Sequence, residues 1–185
     1  MKAGVLALQG DFREHAAVLA ELGATPVEVR TPEDLAEVEC LVIPGGESTT
    51  ISKLARSAGL VEPIRERARA GMPMLGTCAG MIVMARRVIG LEPLLDLVDI
   101  TVRRNAYGRQ VDSFETDLRV EGVDHPVRAV FIRAPIVEEV GPGVRVLAEH
   151  EGHPVVVEEG NLVVASFHPE LVGETRLHEY VLRKV

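Results

Sequence analysis

Short apolar runs that stop at glycine or proline and then give way to a helical pattern constrain this chain more than any other feature. Residues 5–8, 27–29, Cys40–Ile43 and 72–75 are such runs. Asp11 looks like an N-cap, and Phe12, Ala16, Leu19 and Leu22 after it form one apolar helical face. Thr31-Pro32-Glu33-Asp34 is a helix start, with a capping residue ahead of proline. A helix from about Thr49, another over 63–70, and a third beyond Cys78 complete the series. Strands alternating with helices predict a parallel sheet covered by helices on both faces.

From residue 100 onward the pattern changes. Residues 100–103, 111–114 and 118–120 predict antiparallel strands separated by polar turns, and 129–132, 144–149, 154–158 and 162–166 continue the strand series. Residues 174–183 are helical. There is no internal repeat, low-complexity stretch or linker, and a length of 185 residues suits one domain spanning 1–185. The expected fold is α/β: a three-layer sandwich with a mostly parallel central sheet and added antiparallel strands. Sites in such folds form at the carboxyl ends of the parallel strands.

A net charge of −8 argues against a nucleic-acid partner. No apolar run approaches the ~20 residues that span a bilayer. The apolar run at the N-terminus is too short for a signal peptide, so a cytoplasmic location without membrane contact is expected. A structural disulfide between Cys40 and Cys78 is not expected there, and no cysteine–histidine pair has zinc spacing.

The two thiols differ in setting. Cys40 lies inside an apolar strand and reads as a small buried side chain. Cys78 lies in Gly76-Thr77-Cys78-Ala79-Gly80, between an apolar strand and a helical stretch. This is the nucleophile-elbow pattern with cysteine for serine. A nucleophile projected from a sharp turn needs glycines two residues to either side. The helix that follows directs its positive end at the sulfur, and the N–H of Ala79 points where an oxyanion would form. By itself the pattern fits a glycine-rich turn around a buried cysteine equally well.

Ser166-Phe167-His168-Pro169-Glu170 adds a base and a carboxylate. Pro169 predicts an extended segment in which His168 and Glu170 share a face, so that the carboxylate holds the imidazole in one tautomer. None of the other five histidines has such a motif around it; His15 is the one retained as a neighbour of the site. Pro44-Gly45-Gly46-Glu47-Ser48 ends the third strand. Its glycines let backbone N–H groups approach a ligand, although a plain strand-to-helix turn capped by Ser48 is the alternative. The lysine of a phosphate-binding loop is absent.

Cys78 in a glycine elbow with a downstream His-Pro-Glu resembles the class I, triad-type glutamine amidotransferases. Within them the chain is most similar to the glutaminase subunits of pyridoxal 5′-phosphate synthase. The resemblance rests on Leu8-Gln9-Gly10-Asp11-Phe12-Arg13-Glu14-His15, Pro44-Gly45-Gly46-Glu47-Ser48-Thr49-Thr50, Gly76-Thr77-Cys78-Ala79-Gly80-Met81, Arg103-Arg104-Asn105-Ala106-Tyr107-Gly108-Arg109-Gln110-Val111-Asp112-Ser113-Phe114, Val130-Phe131-Ile132-Arg133-Ala134-Pro135 and Ser166-Phe167-His168-Pro169-Glu170. These six motifs, in order, cover essentially the whole chain.

The resemblance implies a class I glutamine amidotransferase-like (flavodoxin-like) fold and a triad of Cys78, His168 and Glu170. It implies L-glutamine contacts from Gly46, Glu47 and Ser48, from Arg104, and from Ile132 and Arg133. Arg104 suits the substrate α-carboxylate and Glu47 its ammonium group; without the family pattern, Arg104 reads as a solvated charge. An oxyanion hole would use the N–H groups of Gly46 and Ala79. No metal or organic cofactor is implied. The partner implied is a separate barrel-shaped synthase subunit that receives the ammonia, and the Gln9-Gly10 turn is a candidate for sensing it. A solitary peptidase or γ-glutamyl hydrolase would share the elbow, and a non-enzymatic relative would have lost a triad member.

Overall fold

The computed structural model describes residues 1–104 and 113–185. Its elements, in chain order, are β1 (Lys2–Leu6), α1 (Phe12–Glu21), β2 (Thr25–Val29), α2 (Pro32–Ala36), β3 (Cys40–Ile43), α3 (Ser48–Ser57), α4 (Val61–Arg69), β4 (Met74–Thr77), α5 (Ala79–Met84) and β5 (Ala85–Val88). There follow β6 (Val98–Arg103), β7 (Phe114–Leu118), β8 (Val127–Phe131), β9 (Ile136–Val140), β10 (Arg145–His150), β11 (His153–Glu159), β12 (Leu162–Ala165), a 3₁₀ turn (Glu170–Val172) and α6 (Arg176–Leu182).

The main sheet has seven strands in the order β10-β11-β12-β4-β3-β1-β2. From β12 to β2 all neighbours are parallel. β11 and β10 extend the sheet as antiparallel strands. Alternation along the strands sends successive side chains to opposite faces. Leu41, Ile43, Met74, Leu162 and Val164 enter one core with residues of α2–α5, β5, β6 and β9. Cys40, Val42, Leu75, Val163 and Ala165 enter the other, with Leu19 of α1, Leu177 and Val181 of α6, and Leu118 and Phe131 of the β7–β8 pair. The sheet is thus the middle of three layers, as expected. No helix among the described residues is long and apolar enough to cross a membrane.

The second half departs from expectation in places. The helix after Cys78 ends at Met84, and Ala85–Val88 is instead a strand, parallel to β6. Ile136–Val140, not expected as a strand, pairs antiparallel with β6. The strand expected over 111–114 lies partly outside the described residues. The break before residue 118 is absent, because Phe114–Leu118 is one strand paired to Val127–Phe131. Burial explains it: Leu118 points into the core while Glu115 and Asp117 face out, where both bind Arg128 across the strand pair.

The strand order determines where chemistry can occur. β12, β4, β3 and β1 lie side by side and run the same way, so the segments after them emerge at one edge. Those segments carry His168, Cys78, Gly45-Gly46 and Gln9-Gly10-Asp11. Backbone bonds tie them together: Cys78 N–H donates to Ala165 O (2.8 Å), His168 N–H to Val130 O (2.8 Å) and Asp11 N–H to Gly45 O (3.1 Å).

Candidate active site

Cys78 sits between β4 and α5 with φ 49° and ψ −105°, a conformation costly for a residue with a Cβ. The elbow has no room for side chains around it. A Cβ on Gly80 would lie 2.0 Å from Ile43 O, and one on Gly76 2.8 Å from Gly80 O. Cys78 is buried, and its Sγ lies 3.9 Å from the Ile132 carbonyl oxygen.

His168 and Glu170 meet as expected, with Nδ1 2.6 Å from Oε1 and both side chains buried. The route differs from the expected one. Pro169 is helical (φ −71°, ψ −31°) and Glu170 opens a 3₁₀ turn, so a tight turn brings the carboxylate back to the ring, rather than an extended segment. Burial pushes the His168 pKa down, but hydrogen bonds and charge interactions with Cys78 and Glu170 outweigh it and raise it to about 10. Burial raises the Glu170 carboxyl, and its bond to His168 opposes that rise.

Asp11 does not cap α1 with its side chain. Its carboxylate turns toward the site, 3.4 Å from His168 Nδ1. Among the described residues, Asp11, His168 and Glu170 are the group that could hold a metal ion, with donor atoms within 4.8 Å of one another, but His168 would have to give up its bond to Glu170 to do so.

A cavity of about 400 Å³ opens beside the sulfur. Its walls include Cys78, Ala79 and His168 together with Gly46, Glu47, Ser48, Arg104, Ile132 and Arg133. Every residue expected to contact substrate therefore lines one space. Glu170 lies behind His168 and does not line it. Asp11, Ile82 and Leu171 also line it, and none was expected to. The part of the arginine motif from 105 to 112 lies outside the described residues.

Two polar residues of this wall have defined roles in the chain itself. Glu47, not Ser48, caps α3: its carboxylate accepts from the N–H and hydroxyl of both Thr49 and Thr50 at 2.5–3.1 Å. Those bonds hold its pKa down at about 2. The oxygens offered to a substrate ammonium are thus already shared. Arg104 places Nη1 3.3 Å from Ser48 Oγ and 3.8 Å from Glu47 Oε1, a cation at the cavity wall suited to a carboxylate.

The Gln9-Gly10 turn lies outside the cavity but against the glycine loop. Gln9 Oε1 accepts from Glu47 N–H at 2.8 Å. Gly10 has φ 94°, and a Cβ there would meet Gly45 O at 1.8 Å. Cys40 is buried in the core, its thiol pushed up to about 11, mainly by burial, as suits a structural side chain.

Behind Glu170 lies a cluster that the motifs signalled only in part. His15 is fully buried, with Nε2 3.0 Å from Thr77 Oγ1 and 3.5 Å from Glu170 Oε2. Its Nδ1 lies 2.7 Å from Nε2 of His178, on α6. The signal for His178 was its place beside Leu177 on the buried face of the terminal helix.

The model of the SNO glutamine amidotransferase family matches residues 5–185. The chain is similar to the pyridoxal 5′-phosphate synthase subunit PdxT of Mycobacteroides abscessus, at 55% identity over 95% of this chain and 93% of that protein. The PdxT subunit of Acidothermus cellulolyticus is also 55% identical, over 100% of this chain and 93% of its own length. A solved structure described as a glutamine amidotransferase superimposes with a TM-score of 0.94 at 49% identity, covering 98% of this chain and 97% of that one.

Proposed function

Since the chain belongs to the SNO glutamine amidotransferase family, we propose that it hydrolyses L-glutamine to L-glutamate and ammonia and supplies the ammonia to a synthase subunit that makes pyridoxal 5′-phosphate. The observation that carries the site assignment is the buried line from Cys78 through His168 to Glu170 at the mouth of a cavity of amino-acid size.

The Cys78 sulfur attacks the side-chain amide carbon of glutamine, and electrons move onto the carbonyl oxygen. The N–H groups of Ala79 and Gly46 receive that oxyanion. His168 gives its proton to the departing nitrogen, which leaves as ammonia, and a thioester remains. The now neutral imidazole takes a proton from water as the water attacks the thioester. Collapse releases glutamate and returns the sulfur and imidazolium to their starting states. Glu170 holds His168 in one orientation and favours its charged form. Arg104 pairs with the substrate α-carboxylate, and Ser48, Ile132 and Arg133 complete the walls. Glu47 keeps the glycine loop and α3 in place and offers its carboxylate edge to the substrate ammonium.

The synthase partner is a barrel-shaped enzyme, and ammonia passes to it without release. Gln9 and Gly10 lie against the loop that contains Gly46. A partner that presses on this turn can alter the oxyanion donors, so docking raises glutaminase activity. Ammonia release from glutamine, measured for the wild type and Cys78→Ala with and without the synthase, tests the proposal. Activity surviving in Cys78→Ala refutes the mechanism, and equal turnover with and without the synthase refutes activation.

A further inference from the structure

Glu170 presents two oxygens, and His168 satisfies only one. Oε2 is sealed from solvent and has no hydrogen-bond partner at ordinary distance among the described residues. A buried carboxylate oxygen without a donor is costly. His15 Nε2 lies 3.5 Å away and can serve it when it carries a proton.

One arrangement of protons on the two histidines satisfies Glu170 Oε2. Were His15 Nε2 unprotonated, its lone pair would face an anionic oxygen across 3.5 Å. With Nε2 protonated, the same contact is attractive, and the N–H is shared between Glu170 Oε2 and Thr77 Oγ1, a three-centre arrangement. Nδ1 then accepts from His178 Nε2 at 2.7 Å, which leaves His178 Nδ1, buried and paired with no side chain, as the unprotonated nitrogen on the Glu174 side. Burial together with His178 and His168 keeps His15 neutral, so it serves as a dipole rather than a second cation.

We infer that His15 is a positioning residue for the glutaminase reaction: its Nε2–H, oriented by His178, holds Glu170 in the ionised rotamer that aligns His168. The inference rests on the triad reading of Cys78, His168 and Glu170. It extends that line of side chains to α6, near the far end of the sequence. Among the described residues, the ionisable groups facing the cluster are Cys78 after β4, Asp11 and His15 at the start of α1, His168 and Glu170 after β12, Glu174 ahead of α6, and His178 on α6.

Two substitutions separate positioning from mere filling of space. In His15→Gln the amide nitrogen reaches the place of Nε2. In His15→Asn the shorter side chain reaches only the place of Nδ1, where its amide oxygen can accept from His178, keeping the His178 side and losing the Glu170 side. With the synthase bound, we expect His15→Gln to stay near wild type. His15→Asn should lose about tenfold to a hundredfold in kcat with KM for glutamine little changed, the effect of removing a hydrogen bond to a charged group. In His15→Asn the alkaline limb of the kcat/KM profile should also move to lower pH, by about one unit, because a less firmly ionised Glu170 supports the imidazolium less.

Equal kcat and equal alkaline limbs in the two variants overturn the inference. If neither variant folds, nitrogen-15 NMR of histidine-labelled wild type decides: the Nε2–H tautomer at His15 supports it, and the Nδ1–H tautomer overturns it. Activity retained by Cys78→Ala would instead sink the triad reading itself, which keeps the two failures apart.

Discussion

His168 and Glu170 are separated by a single proline, yet Nδ1 of the one lies 2.6 Å from Oε1 of the other, and the pair is sealed from solvent. A contact this short between neighbours makes the carboxylate an inseparable part of the base.

Glu170→Gln should therefore leave the fold intact and cost glutaminase activity heavily. An amide in that place can offer the ring the wrong atom and cannot balance an imidazolium; the comparable change in a serine-protease triad costs about 10⁴-fold in kcat. We expect a loss of 10²-fold or more, read as ammonia released at saturating glutamine with the synthase present. A loss below tenfold would show that Asp11, 3.4 Å from the same nitrogen, can take over the role.

Replacing Arg104 by Gln should act on substrate capture. In the proposed mechanism its guanidinium pairs with the substrate α-carboxylate, and losing a charge-assisted pair costs about 1.5–3 kcal/mol. KM for glutamine should rise tenfold or more, with a smaller change in kcat. The reverse split would move Arg104 from binding to chemistry.

Glu47→Ala removes the cap of α3. Loss of such a cap costs about 1 kcal/mol of stability, read as a lower urea midpoint with unchanged slope. Because the cap is ionised down to about pH 2, the wild-type contribution is full above the ordinary glutamate range and fades only as pH falls toward 2. The midpoint difference between variant and wild type should hence stay constant from pH 5 to 8.

The histidine pair sets a different pH dependence. Burial lowers His178 to about 4 and holds His15 well below its ordinary value. Unfolding lets both bind protons below pH 6.5, so stability should fall as pH drops from 6.5 to 4, by roughly 3 kcal/mol for His178 alone. His168 has the opposite sign. Raised to about 10, it contributes fully below 6.5 and loses that contribution as pH climbs toward 10. Urea midpoints should peak near pH 6.5, and His178→Gln should flatten the acid limb.

The parallel half of the fold was legible because each strand there is an apolar run closed by glycine or proline. Cys78, the glycine loop and the His-Pro-Glu segment stood out because their chemistry is local. What escaped was of two kinds. The start of Ala85–Val88 reads as a continuation of the preceding helix, through Arg86, because Arg86 and Arg87 give it no apolar alternation. Ile136–Val140 ends in exposed residues and leans on β6 for its identity. The second kind is contact across distance. His15 and His178 are 163 positions apart, and only the sheet order, which packs α1 and α6 on one face, brings them together. Asp11 stands at the N-cap of α1 as expected, but its carboxylate turns to the His168 imidazole instead of the helix N–H groups, a choice that only the folded site reveals.

β12 lies directly against β4 in the sheet, although it comes nearly last in the sequence. As the chain leaves the ribosome, β1 to β4 can pair before β12 exists, leaving β4 as an edge strand with the Cys78 thiol at its tip. The base arrives with residue 168 and the far end of the histidine line with α6. Nascent and truncated chains thus carry a thiol without its imidazole, and the nucleophile is armed only by the same step that closes the sheet.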